Sequence, residues 1–229
     1  MAVQMPDRTL VFEDRTEAGR VLARELLRFA NESPIVLALP RGGVVVAFEI
    51  ARELHAPLDV IVARKVGAPG REELGIGAVA PGGVLVLDEQ LAAWFGITEA
   101  QLRPLVARET NEMNRRLRLY RGDRPMPDLK DRTAILVDDG LATGVTARAA
   151  VQFLRQQRPQ RIIVAIPVCS PDTAQRLQSE VDEVVCASYP YPFYGVGMWY
   201  REFDQTSDQE VIDLLARARN EFTMAEQNY

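Results

Sequence analysis

The chain of 229 residues contains one histidine and two cysteines, and these scarcities exclude a good deal. Cys169 and Cys186 are too few for a disulfide framework and lack metal-ligand spacing, so both are expected as reduced, buried thiols. His55 stands in RELHAP at an expected helix end, where a dipole-favoured or solvated place suits it better than catalysis. Any reaction here must therefore run without a histidine base. Long apolar runs are missing as well, none approaching ~18 residues. The opening MAVQMPDRTL lacks a basic stretch followed by an apolar one, which leaves a cytoplasmic protein with no membrane partner as the expectation. Excess positive charge is absent: a formal net charge of −5 argues against nucleic acid as a partner. The densest basic cluster, RRLRLYR at residues 115–121, reads as a solvated helix face. No G-x-G-x-x-G follows the first expected strand, which disfavours an NAD-binding domain.

What remains is an ordinary globular composition, 47% apolar and 26% charged, without repeats, and it reads as one domain over residues 1–229. Asp14 with Glu17 makes a capping box, followed by Ala18, Leu22, Leu26 and Phe29 at helical spacing. IVLAL at residues 35–39 predicts a buried strand, VVVAFEIARELH a helix, and LDVIVARKV at residues 58–66 a second strand, parallel to the first. From about residue 66 to residue 90 the pattern changes to GAPGREELG and then to GIGAVA and VLVLDE around PGG, which predicts a β-hairpin arm, expected to be mobile. Thr98 with Gln101 opens a further helix, with Pro104 in its first turns or at a kink. Residues 134–138 and IIVAIPV predict two more strands around a helix that starts near Thr146. The fold class expected is α/β, a doubly wound, mostly parallel sheet flanked by helices, with its core over about 31–188. A small hood rich in aromatics, YPYPFYGVGMWY, falls in residues 189–205, and Ser207 with Glu210 begins a terminal helix to about residue 222.

The segment AILVDDGLATGVT, residues 134–146, carries the most chemistry. In an open parallel sheet the ligand lies beyond the carboxyl ends of the strands, where Asp138 and Asp139 fall. Two adjacent carboxylates repel a phosphate unless they accept hydrogen bonds from sugar hydroxyls or act through a divalent cation. The backbone N–H groups from Gly140 to Thr146, with the hydroxyls of Thr143 and Thr146, can ring a phosphate at the positive end of the next helix. Carboxylates for a sugar and amides for a phosphate together specify a sugar phosphate.

VDDGLATGVT resembles the ribose-phosphate signature of type I phosphoribosyltransferases, and LPRGG at residues 39–43 resembles that family's pyrophosphate loop. Arg64 and Lys65 resemble the Arg-Lys pair that adenine-type members place before their flexible loop. The resemblance implies a type I phosphoribosyltransferase-like domain that transfers the 5-phosphoribosyl group from 5-phosphoribosyl 1-diphosphate to a nitrogenous acceptor, with pyrophosphate leaving. It implies catalytic roles for Asp138, Asp139, Arg41, Arg64 and Lys65. Donor binding falls to Arg41, Gly42, Gly43, Asp138, Asp139, Gly140, Leu141, Ala142, Thr143, Gly144, Val145 and Thr146. It also implies Mg2+ near Asp138 and Asp139, held directly or through water or ribose, and a homodimer. The ending resembles a subgroup of predicted members without an assigned acceptor. Ala142 stands where 6-oxopurine members carry an acidic residue, which argues against hypoxanthine or guanine. Phe193, Tyr194, Trp199 and Tyr200 either stack a planar acceptor or pack the terminal helix onto the sheet, and Asp204 either orients a ring nitrogen or caps that helix. The competing reading is a regulatory module that binds the phosphoribosyl donor without chemistry.

Overall fold

The structure, a computed structural model, describes residues 9–227, with side chains to residue 223. Residues 1–8, on which the expectation of a cytoplasmic protein partly rests, lie outside the described residues. Helix α1 (Arg15–Leu26) opens on Asp14, whose carboxylate accepts from the Glu17 amide, and a single 3-10 turn extends it to Phe29. Strand β1 (Ile35–Ala38) and helix α2 (Gly42–Leu54) follow, with His55 ending the helix in a left-handed conformation. Next come β2 (Leu58–Val60), β3 (Arg64–Ala68), β4 (Arg71–Ala80), β5 (Val84–Leu87), α3 (Glu89–Trp94) and α4 (Glu99–Arg121). The chain continues through β6 (Thr133–Val137), α5 (Val145–Gln156), β7 (Arg161–Val168), α6 (Pro171–Gln178) and β8 (Glu183–Ser188) to α7 (Asp208–Gln227).

Five strands form a parallel sheet in the order β2-β1-β6-β7-β8. Both of its faces are covered, and the alternation of a strand's side chains shows it. Val36 and Ala38 of β1, with Ile135 and Val137 of β6, join the core under α1, α2 and α7. Ile35 and Leu37, with Ala134 and Leu136, join a second core under α5 and the small sheet. That small sheet, β3-β4-β5, is antiparallel and is the expected arm. The sheet order reverses between β1 and β6, so the loops that leave their carboxyl ends straddle the crevice where open α/β sheets bind ligands.

Two local expectations need correction. LDVIVARKV is not one strand: β2 stops at Val60 and Arg64 starts a strand in the other sheet. The break has no turn residue to announce it. The break is set by tertiary structure: Val60 stands opposite Ala38, the last residue of β1, and Arg121 donates to the Val60 carbonyl at 2.6 Å and pairs with Asp59 at 3.1 Å. The same contact corrects the reading of residues 115–121 as a solvated face, because the Arg121 side chain is only 9% exposed. Arg115 and Arg116, by contrast, pair with Glu112 of their own helix. The glycine-rich stretch at residues 67–75 also folds further than expected, into a β3–β4 hairpin, so the arm has three strands.

Among the described residues no helix is long and apolar enough to cross a membrane. Cys169 and Cys186 are free and buried next to one another.

Candidate active site

The β1 loop and the β6 loop meet through glycines. A Cβ on Gly42 would lie 1.9 Å from Asp139 Oδ2 and 2.6 Å from Arg15 Nε, and one on Gly43 would lie 2.9 Å from the Val137 carbonyl oxygen. No side chain larger than hydrogen fits at either position without moving the carboxylates, so LPRGG positions the acidic pair by packing on it. Gly140 makes the matching approach to the hood, where an added Cβ would meet Val196 Cγ1 at 2.2 Å. The Pro40–Arg41 peptide is cis.

Asp138 and Asp139 are half-buried at the end of β6. One oxygen of each carboxylate is committed: Asp138 Oδ1 accepts from the Asp139 amide at 2.9 Å, and Asp139 Oδ2 accepts from Arg15 Nε at 2.7 Å. Burial and then the neighbouring Asp139 charge hold the Asp138 carboxyl well above the usual carboxylate range, and Arg15 pulls more weakly the other way.

The following loop is anchored from behind. Leu141 donates its amide to the Val168 carbonyl at 2.9 Å and returns its own carbonyl to Ser170 at 3.2 Å, while Thr173 Oγ1 donates to the Ala142 carbonyl at 2.6 Å. Leu141, named among the donor-binding residues, is therefore an anchor: its amide is spent on β7 and its side chain is buried. Gly144, left-handed at φ 73°, then turns the chain into α5 and supplies no side-chain cap. The first-turn amides of α5 thus stand at an uncapped helix end, beside exposed Thr143 and half-buried Thr146.

The cationic candidates separate. Arg64 and Lys65 are consecutive on β3, so their side chains leave opposite faces. Lys65 faces a cleft of about 720 Å³ that Thr143, Val145, Phe193 and Tyr194 also line. Its Nζ rests on the Glu73 carbonyl at 2.7 Å. Arg64 turns instead to α4, where Nε and Nη2 both donate to Glu109 Oε2, at 3.1 and 2.8 Å. Arg41 lies 3.8 Å from Asp208 at the start of α7. Replacing Arg64 with alanine is expected to cost about 2 kcal/mol of stability, since it strips one partner from a buried carboxylate that Arg108 still touches. Lys65→Ala leaves stability within about 0.5 kcal/mol. Denaturant unfolding of the two variants checks this asymmetry.

The hood residues separate too. Phe193 and Tyr194 line the cleft. Tyr200, however, is buried: it stacks on Phe203 with ring centroids 4.9 Å apart, meets Phe12 at 5.6 Å, and donates its hydroxyl to the Asp139 carbonyl at 2.5 Å. With both neighbours in place its ring offers no open face to a planar acceptor. Trp199 is half-buried, and its indole N–H is the only buried side-chain polar atom without a partner among the described residues. Asp204 does not cap α7, because the Ser207 hydroxyl accepts from the Glu210 amide there. Arg15 is the site residue that the sequence did not disclose, since it lies 124 positions from the carboxylate it holds.

Two carboxylates are too few for an all-protein metal cage, and no cluster of three or more His, Cys, Asp or Glu able to hold a metal occurs among the described residues. The pair suits a hard cation that draws its other ligands from substrate oxygens and water.

Residues 14–197 match the family model described as the phosphoribosyl transferase domain. In two strains of Mycobacterium tuberculosis, a protein provisionally named a phosphoribosyl transferase is 42% identical over 215 residues, covering 94% of this chain and 48% of its own length. The chain thus spans about half the length of these curated relatives. The crystal structure of the protein TT1426 from Thermus thermophilus superposes with a TM-score of 0.76 at 42% identity, covering 91% of this chain and 99% of that one. A uracil phosphoribosyltransferase of Lactobacillus gasseri is 26% identical over 154 residues, covering 62% of this chain and 68% of its own.

Proposed function

Since the chain belongs to the phosphoribosyl transferase domain family, we propose that it transfers the 5-phosphoribosyl group of 5-phosphoribosyl 1-diphosphate to a nitrogenous base or related small acceptor, releasing pyrophosphate. The observation that carries this reading is the meeting of LPRGG with Asp138 and Asp139 across the switch point of the sheet, with an uncapped helix end immediately after. The carboxylate oxygens not held by the Asp139 amide or by Arg15 accept from the ribose hydroxyls. Thr143, Thr146 and the first amides of α5 hold the 5-phosphate. Ala142 lies in the same loop and contacts the cleft through its exposed side.

Pyrophosphate leaves as a highly charged group, so positioning and charge stabilisation suffice without a histidine base. Lys65 meets the diphosphate from the arm, and Arg41 meets it from the end of β1 after sharing or releasing Asp208. Mg2+, when bound at the donor, supplies further positive charge to the leaving diphosphate. The transition state carries oxocarbenium character at the anomeric carbon, which the fixed carboxylates favour electrostatically. Phe193 and Tyr194 present the stacking surface for a planar acceptor on the far side of the phosphate loop. The arm, through Lys65, Glu73 and Leu74, forms the opposite wall of the cleft and excludes water, whose attack would waste the donor.

A second reading, a regulatory module that binds the donor without turnover, draws on one feature: Arg41 and Arg64 each stand against a carboxylate of the protein. Pyrophosphate release measured with a panel of purines, pyrimidines, pyridines and small amines separates the two. Release that depends on one acceptor is the expected result and names its class. Donor binding with no release on any acceptor favours the regulatory module.

A further inference from the structure

Arg15 joins three parts of the molecule that the sequence keeps far apart. From the first turn of α1 its Nε donates to Asp139 Oδ2 at 2.7 Å and its Nη1 to the Asp204 carbonyl at 2.8 Å. Its guanidinium also lies 3.9 Å from the centroid of the Phe203 ring. The contact is sheltered, the two side chains of the ion pair being 12% and 17% exposed. Phe203 in turn stacks on Tyr200, whose hydroxyl holds the Asp139 carbonyl. Asp139 is thus fixed at its side chain by α1 and at its backbone by the hood, and Arg15 and the Phe203–Tyr200 pair close the circuit.

The chemistry of the side chain explains why an arginine serves. A planar guanidinium presents one edge to a carboxylate, another to a carbonyl and a face to an aromatic ring at the same time, which an ammonium cannot do. The pair takes Asp139 Oδ2 and leaves Oδ1 outside the Arg15 contact, and it removes the rotational freedom that the carboxylate would otherwise lose on binding a ligand. It also offsets one of two adjacent negative charges in a loop that must accept a phosphate nearby.

We infer that Arg15 is a positioning residue of the ribose subsite: it aims Asp139 Oδ1 at a sugar hydroxyl and couples that carboxylate to the hood through Asp204 and Phe203. The inference rests on the donor site described under the proposed function.

The test compares two probes, ribose 5-phosphate and methyl phosphate, which share the phosphate but not the diol. Their affinities are measured by calorimetric or NMR titration on the full chain, with thermal unfolding to establish that each variant is folded. In Arg15→Gln, ribose 5-phosphate is expected to bind about tenfold or more weakly while methyl phosphate stays within about twofold, because only the diol depends on the aimed carboxylate. Arg15→Lys keeps the charge beside Asp139 but loses the tie to Asp204, so its loss for ribose 5-phosphate is smaller, about three- to tenfold, and again selective. Unchanged affinity for ribose 5-phosphate, or an equal loss for both probes, overturns the inference. If Arg15→Gln does not fold, the lysine variant decides alone by the same criterion. A wild-type protein that prefers ribose 5-phosphate no more than methyl phosphate has no ribose subsite here, and the donor-site reading then falls together with this one. A wild-type preference retained in both variants refutes the role of Arg15 alone.

Discussion

Replacing Asp138 and Asp139 together by asparagine is expected to abolish magnesium-dependent binding of 5-phosphoribosyl 1-diphosphate while the protein stays folded, and the single change Asp138→Asn is expected to make it harder to unfold at neutral pH. In the proposed complex each carboxylate accepts one hydrogen bond from the ligand, and hydrogen bonds to a charged acceptor contribute about 1.5–3 kcal/mol each, so the affinity falls by about a hundredfold or more. The stability change has the opposite sign. Burial and the Asp139 charge raise the Asp138 carboxyl well above its usual range. A carboxyl raised by folding binds more protons in the folded state, so its contribution is fully present below the unfolded-state pKa and is lost as pH rises through the folded-state value. Asparagine at 138 removes that loss. The melting temperature of Asp138→Asn should therefore exceed that of the wild type at pH 7 by a few degrees, at about 2–4 °C per kcal/mol, and the gap should close as pH falls to the ordinary aspartate range. Calorimetric titration and thermal unfolding at several pH values read both effects. Unchanged donor affinity would remove the carboxylates from the site, and a lower melting temperature at pH 7 would show that the pair stabilises the fold.

Gly42→Ala is the second large effect, and it reaches the same carboxylates without changing any charge. The new methyl would stand 1.9 Å from Asp139 Oδ2 and 2.6 Å from Arg15 Nε, so the carboxylate, the guanidinium or α2 must move. Overpacking of this kind costs about 1–3 kcal/mol, which corresponds to a fall of roughly 2–12 °C in melting temperature for a chain of this size. Any shift of Asp139 misaims its free oxygen, and an error of about 1 Å in a positioned group costs on the order of a hundredfold in function. A variant with wild-type donor affinity would mean that the two loops do not need their close approach. Alanine at Gly195 is a control for the added methyl, because its φ of 167° is extended backbone that any residue adopts and a Cβ there meets no atom within 4 Å.

The features legible in the sequence are those set by local rules. The capping pairs Asp14/Glu17, Thr98/Gln101 and Ser207/Glu210 each mark the start of a helix, and the apolar runs at residues 35–39 and 134–138 are adjacent strands in the parallel sheet. The motif loops are legible because they gather carboxylates, glycines and threonines at short spacing. What stays hidden depends on contacts between distant segments. The split of LDVIVARKV falls where β1, the neighbour of β2, ends at Ala38, and where Arg121 reaches Val60 across 61 positions. Arg15 is one more arginine in an amphipathic helix until the hood closes on it. The assignment of Arg64 and Lys65 as a pair treats neighbours in sequence as neighbours in space, although on a strand they face apart. Helix α6 is absent from the sequence reading despite a legible start, with Ser170 as cap and Pro171 in the first position. Tyr200 groups with its aromatic neighbours by composition, but its hydroxyl and both its ring contacts place it inside the protein.

Titration of 5-phosphoribosyl 1-diphosphate into the wild-type protein, once with Mg2+ and once with a chelator, tests whether the crevice between β1 and β6 binds a phosphoribosyl diphosphate. Saturable binding that weakens at least about tenfold when Mg2+ is removed, and that ribose 5-phosphate displaces, is the predicted result. No binding heat in either titration, or binding indifferent to ribose 5-phosphate, would contradict it.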